Sequence, residues 1–228
     1  MCGRYNLITD AQALVDFFAI EQTLFDASAV LPRYNIAPSQ EVPIVRDTGN
    51  GRELTLARWG LVPHWSKEEK PKYSTINARA ETVPEKPTYR EAFKRKRCLI
   101  PATGFYEWAH RGGHKIPHHI RVSEGSLFAF AGLWDHWAKE GTDFDSCSII
   151  VTQANSIMQP IHDRMPVILN EAQYNTWLNV GHFNRSQLES LLVPYAGALE
   201  AYPVSRFVNS PQHDDPRCIE QVSGEPPQ

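Results

Sequence analysis

Along this chain apolar and polar positions mostly alternate in short runs, with a helical spacing of apolar residues in only a few places. Thr9-Asp10-Ala11-Gln12 reads as a capping box opening a helix whose apolar side carries Leu14, Phe17 and Phe18. Residues 42–45 predict a short edge strand, because Pro43 has no N–H to give to a ladder. Residues 53–59 alternate as a half-buried strand does, and Gly49-Asn50-Gly51 supplies the turn of a hairpin between the two. Residues 30–39 and 60–73 read as irregular, broken by proline and glycine. A short helix is expected over 88–96, with Tyr89 and Phe93 inward. Further strands are expected at 98–100, 104–108, 119–122, 127–137, 147–152 and 165–169. Two late helices are expected at 171–178 and 186–192, the second opened by a capping box from Ser186 to Glu189.

Many short strands, few helices and no strand–helix–strand rhythm define an α+β fold. The expected form is a single domain, a curled, mostly antiparallel sheet or barrel-like core with a few short helices. The domain is expected to span residues 1–208, with 209–228, polar and proline-containing, as a loosely ordered C-terminal tail.

The 228 residues, 42% of them hydrophobic, are enough for one substantial core. No apolar run is long enough for a signal peptide or a membrane span, so the expectation is a cytoplasmic protein, nucleoid-associated, or nuclear in a eukaryote. The four cysteines lie far apart, without a CxxC pair, and read as free thiols. The nine histidines lack the spacing of a zinc site, so no metal is expected. A net charge of −3 argues modestly against a nucleic-acid partner. Local basic clusters can still track a phosphate backbone, and Lys94-Arg95-Lys96-Arg97 with Arg90, and Lys67, Lys70 and Lys72, are two such clusters. Each reads equally well as a solvated face.

Cys2 directly follows the initiator methionine. Removal of Met1 creates a 1,2-aminothiol. An α-amine has a pKa of about 7.7–8.0 against about 10.4 for lysine, so far more of it is nucleophilic at neutral pH. Such an amine can form an imine with an aldehyde, and the adjacent thiol can close a thiazolidine on the imine carbon intramolecularly. By position alone, Cys2 reads first as a small buried hydrophobe, and something else must support a reactive role.

Six segments in order change that balance: Met1-Cys2-Gly3-Arg4-Tyr5, Arg33-Tyr34-Asn35-Ile36-Ala37-Pro38, Trp59-Gly60-Leu61-Val62-Pro63, Asn77-Ala78-Arg79-Ala80-Glu81-Thr82, Gly104-Phe105-Tyr106-Glu107-Trp108 and His162-Asp163-Arg164-Met165-Pro166. Together they closely resemble the SRAP family of abasic-site processing proteins. The resemblance implies a single α+β domain around a barrel-like core, acting without a cofactor. It implies covalent capture of abasic sites in single-stranded DNA through a thiazolidine, which protects the strand from cleavage. It places Cys2 as nucleophile, with Asn77, Glu107 and His162 around the reaction centre. It places Arg4, Arg79 and Arg164 beside the site and the phosphates.

The residue types suit the chemistry. An abasic sugar is mostly a closed hemiacetal, and releasing its aldehyde and then expelling water both need a proton shuttle, for which a carboxyl and an imidazole serve. Asn77 offers a donor and an acceptor without charge. Trp65, Trp59 and Pro38 are candidates to stack on or wedge between flanking bases. On its alternating strand, Trp59 reads equally as core. Two other readings remain open: an N-terminal-nucleophile cysteine peptidase, self-processing or acting on other amides, and a passive, non-covalent single-strand-binding module. A monomer without a membrane partner is expected.

Overall fold

In the computed structural model the residues described are 2–26, 30–123, 127–139 and 141–222. Met1 and the last six residues of the expected tail lie outside them. The expected class holds: strands dominate, with four short α-helices among the described residues.

A β-barrel organises the molecule. Strands β4 (Glu41–Asp47) and β5 (Arg52–Trp59) form the expected hairpin, with Glu41 opposite Arg58 and Asp47 opposite Arg52. β7 (Arg97–Ala102), β10 (Phe128–Lys139) and β11 (Thr142–Gln153) continue the sheet. It closes where β5 pairs in parallel with β11, Arg58 opposite Ser146 and Trp59 opposite Cys147. Closure leaves the barrel without exposed edges along that seam. β4 is therefore not the edge strand that Pro43 suggested. Its pairing with β7 is at Val45 opposite Leu99, so Pro43 sits where the second neighbour makes no ladder to break.

The burial of β10 and β11 shows how the layers lie. In each strand the half nearest the centre is buried on both faces, and the other half turns increasingly toward water. A second sheet, in the order β14 (Leu199–Pro203), β9 (His114–Val122), β8 (Gly104–Arg111), β1 (Tyr5–Leu7), β3 (Arg33–Ile36), packs one face on the barrel through Tyr5, Phe105, Ile120 and Leu199. β8 opens on Gly104 because a Cβ there would lie 2.3 Å from His119 Nε2.

The other face of this sheet carries Tyr34, Tyr106, Trp108 and Tyr202, and it is covered by Val204, Phe207, Val208, Cys218 and Ile219. Residues 209–222, expected to be loosely held, are in their described part a packed third layer. Cys218 is fully buried, and the Asp214 carboxylate accepts the backbone N–H groups of Tyr34 and Asn35 and the Arg33 guanidinium. The reason is physical: an aromatic sheet face has to be covered, and only this segment covers it.

Helix α1 (Ala11–Phe18) is capped by Asp10, whose carboxylate accepts Ala13 N–H, one position later than expected, and it buries Leu14 and Phe18. α2 (Arg90–Arg95) follows Tyr89 and buries Phe93. α3 (Glu171–Leu178) has the expected bounds, while α4 (Arg185–Ser190) is capped by Asn184 rather than Ser186. The basic run 94–97 turns inward. Arg97 is wholly buried and donates to the carbonyls of Phe93, Lys94, Trp177 and Asn179. It thus ties together the C-terminal ends of α2 and α3, where a cation is favoured. Lys96 reaches the buried Asp135 at 2.5 Å. Neither is available to a phosphate.

Candidate active site

Cys2 lies just before β1, completely buried in the main core. Asn77 begins β6 (Asn77–Arg79), a short strand that pairs in parallel with β11 just beyond the barrel seam. Its Nδ2 donates to the Cys2 carbonyl at 2.8 Å. Its Oδ1 is buried and has no hydrogen-bond partner among the described residues. Burial raises the Cys2 thiol far above its ordinary pKa, and the nearby Glu107 carboxylate raises it further. The thiol is therefore protonated at neutral pH in this enclosed state.

Glu107 lies on β8, 3% exposed. Strand alternation alone left its direction open; the barrel on that face of the sheet fixes it inward. Glu107 and His162 line one cavity of about 390 Å³, with Trp108, His110, Lys115 and Asn209. His162 Nδ1 lies 2.9 Å from the backbone N–H of Arg164, which it can accept as a neutral ring, and 2.8 Å from the Asp163 carboxylate. The sequence thus brings Cys2, Asn77, Glu107 and His162 into one neighbourhood from four separate segments.

A larger cavity, about 570 Å³, opens beside Asn77. Its walls include Trp65, Tyr73, Arg79 and the lysines at 67, 70, 72 and 86. Trp65 is 56% exposed and Tyr73 84% exposed, which is unusual for large aromatics with nothing packed over them. The 63–73 loop is held from behind: His64 N–H and Nδ1 meet the Asp135 carboxylate at 2.8 and 3.0 Å, and Trp137 Nε1 donates to Ser66 O. Tyr73 and Lys86 were missed in the sequence; exposed aromatics interleaved with lysines in a proline-bearing loop are the signal that would have found Tyr73.

Other expected residues are placed differently. Trp59 is 1% exposed and donates its Nε1–H to Ile76 O at 3.0 Å, so it braces the approach to Asn77 from within the core and is not free to stack. Arg4 is held by Asn35 Oδ1 at 2.8 Å and Val208 O at 2.9 Å, and burial lowers its pKa. Its guanidinium ties the stretch before β1 to Val208 and Asn209. Pro38 is half-buried in the turn after β3 and lines neither cavity. Arg164 is paired with Glu81, whereas Arg79 is exposed on the larger cavity. Among the described residues no group of three or more His, Cys, Asp or Glu side chains could hold a metal ion. Nor, among the described residues, is any helix long and apolar enough to cross a membrane.

A buried Cys2, gripped through its carbonyl by the Asn77 amide and lying near the Glu107 carboxylate, belongs to a single-domain protein built on a barrel. The SRAP family, SOS response associated peptidase, matches residues 1–211, and the chain belongs to it. It is 45% identical over 223 residues to the abasic site processing protein YoqW of Bacillus subtilis, covering 96% of this chain and 99% of that one. It is 33% identical over 221 residues to the abasic site processing protein HMCES of Gallus gallus, covering 82% of this chain and 66% of the other. The crystal structure of a protein from Bacteroides thetaiotaomicron superposes with a TM-score of 0.87 at 30% identity, covering 97% of this chain and all of that one.

Proposed function

We propose that this protein processes abasic sites in single-stranded DNA by capturing the sugar aldehyde on the α-amine and thiol of Cys2, exposed as the mature amino terminus. The observation that carries the reading is the Asn77 carboxamide: Nδ2 holds the Cys2 carbonyl, while the buried Oδ1 has no donor from the described residues. A buried acceptor without a donor costs about 1–3 kcal/mol. The α-amine released from the Met1 peptide bond, on the same residue whose carbonyl Nδ2 holds, is a donor able to satisfy it. The names of the relatives point to the same substrate.

The order of steps follows from protonation. With its thiol held neutral by burial, Cys2 first offers its amine. The amine adds to C1′ of the opened sugar to give a carbinolamine, and loss of one water gives the imine. The sulfur then bonds to the imine carbon, the thiol proton passes to the nitrogen, and a thiazolidine results. Glu107 and His162, lining one cavity, are placed to shuttle the protons for sugar opening and water loss. An imine at C1′ is an electron sink that promotes strand cleavage; ring closure by sulfur removes it. The exposed Trp65 and Tyr73 and the lysines of the adjoining groove suit a single strand, which binds by stacking and backbone charge.

The test is incubation of the Met1-processed protein with a single-stranded oligonucleotide bearing one abasic site, followed by denaturing electrophoresis and intact mass spectrometry without reductant. A one-to-one adduct, one water lighter than the sum and absent in Cys2→Ala, is expected. Its absence with a confirmed mature terminus overturns the proposal.

A further inference from the structure

The segment after β14 does more than cover an aromatic face. Asp214 latches it onto β3, and Asn35 Nδ2 reaches the carbonyls of Ser210 at 3.0 Å and His213 at 2.6 Å. This latch brings Asn209 to the rim of the cavity that holds Glu107 and His162. There the Asn209 carboxamide Oδ1 accepts the indole N–H of Trp108 at 2.8 Å. The main chain of the same segment receives Arg4, whose Nη1 donates to Val208 O at 2.9 Å and whose Nη2 lies 3.4 Å from Asn209 O. One residue of the C-terminal segment therefore touches the side chain next to Glu107 and the side chain two positions from Cys2.

We propose that Asn209 is a positioning residue for lesion capture, fixing the Trp108 ring at the cavity mouth and, with Val208, securing the arm that carries Cys2. The inference rests on the capture reading above. Trp108 is half-buried, with one side packed on the C-terminal layer and its only polar atom held by Asn209. An indole tethered in this way has lost its rotamer freedom before a strand arrives, so the loss is not charged to the reaction. Asn209 carries no charge and does not line the lysine-bearing groove. Its contribution therefore falls on the rate of bond formation and not on strand affinity.

The experiment measures adduct formation by full-length, Met1-processed protein over a range of concentrations of a single-stranded oligonucleotide with one abasic site. It yields a maximal rate and a half-saturating concentration. Asn209→Leu keeps the size of the side chain and the backbone contact to Arg4 but removes the acceptor. Its maximal rate is expected to fall about fivefold, the factor for one neutral hydrogen bond, with half-saturation moved less than twofold. Trp108→Phe removes the donor instead and should lower the maximal rate at least as much. Combining the two should cost no more than the slower single change, because both remove the same bond. Asn209→Asp keeps the acceptor and adds a negative charge, so it should retain the maximal rate and raise half-saturation. Asn209→Leu at the wild-type rate, or the same fivefold loss on top of Trp108→Phe, overturns the inference and leaves the capture reading intact. A wild-type protein that forms no adduct overturns both.

Discussion

The side-chain amide of Asn77 donates to the main-chain carbonyl of Cys2 at 2.8 Å, joining the first strand of one sheet to a strand on the barrel seam. Cys2 is thereby held through its backbone carbonyl. Asn77→Ala should slow adduct formation at saturating DNA by tenfold or more, on the order of 1–2 kcal/mol for a buried bond at the reacting residue. Its urea midpoint should change little. Rapid-quench electrophoresis with parallel denaturation checks both, and an unchanged maximal rate would remove Asn77 from the site.

Strand affinity should separate from chemistry at the groove. Trp65→Ala should weaken single-strand binding by about 1–3 kcal/mol, the range for one base stacked on an aromatic side chain. Replacing Lys67, Lys70 and Lys72 together should flatten the salt dependence of binding. Fluorescence anisotropy across a salt series reads both. Trp59→Phe, by contrast, alters a buried ring with a hydrogen bond to Ile76 and should lower stability more than affinity.

His119 makes the fold sensitive to mild acid. Its Nε2 lies 2.7 Å from the Asn6 amide nitrogen and its Nδ1 2.9 Å from the Tyr202 hydroxyl, an arrangement that suits a neutral ring protonated on Nδ1. Burial, reinforced by the Arg121 charge, lowers its pKa from 6.5 to about 3. In this pH interval the unfolded chain binds a proton that the folded one refuses. The contribution is thus fully present above pH 6.5 and is lost as pH falls toward 3, at up to about 1.4 kcal/mol per pH unit. Urea denaturation from pH 7 to 5 should show a steeper loss in the wild type than in His119→Gln. Equal slopes would place the proton elsewhere.

Arg97 should be among the costliest surface-type residues to replace. Arg97→Met leaves the carbonyls of Phe93, Lys94, Trp177 and Asn179 without their donor. A loss of about 3 kcal/mol or more is expected, with no change in strand affinity beyond that from unfolding. Chemical denaturation and anisotropy on the same variant separate the two.

Much of the barrel was legible because its strands alternate and its β4–β5 turn is rich in glycine. Helix 171–178 has the bounds expected of it and buries Tyr174, Trp177 and Leu178. The missed strands share a cause. β1, β3, β6 and β14 are three to five residues long and bonded to distant partners, as Tyr5 is to Ile36 and Phe105, Asn77 to Ile149 and Leu199 to Val122. No local pattern encodes such pairings. At the site, residue types and order pointed to Cys2, Asn77, Glu107 and His162, which do lie together. The surroundings of Trp59 and Arg4 were not legible because the burial of a residue depends on which layer covers it. For Arg4 that layer is the C-terminal segment, whose polar composition masks Val204, Val208 and Cys218 facing inward.

That segment also sets a timetable. On the ribosome, Cys2 is made among the first residues, yet β6, β8, His162 and finally Asn209 enclose its surroundings, each emerging later than the last. Until Asn209 has emerged, the surroundings of Cys2 are incomplete. Under the proposed capture chemistry, the amine and thiol of Cys2 would stand open to small aldehydes until that enclosure is complete, and folding speed would bear on how many copies reach a lesion unreacted.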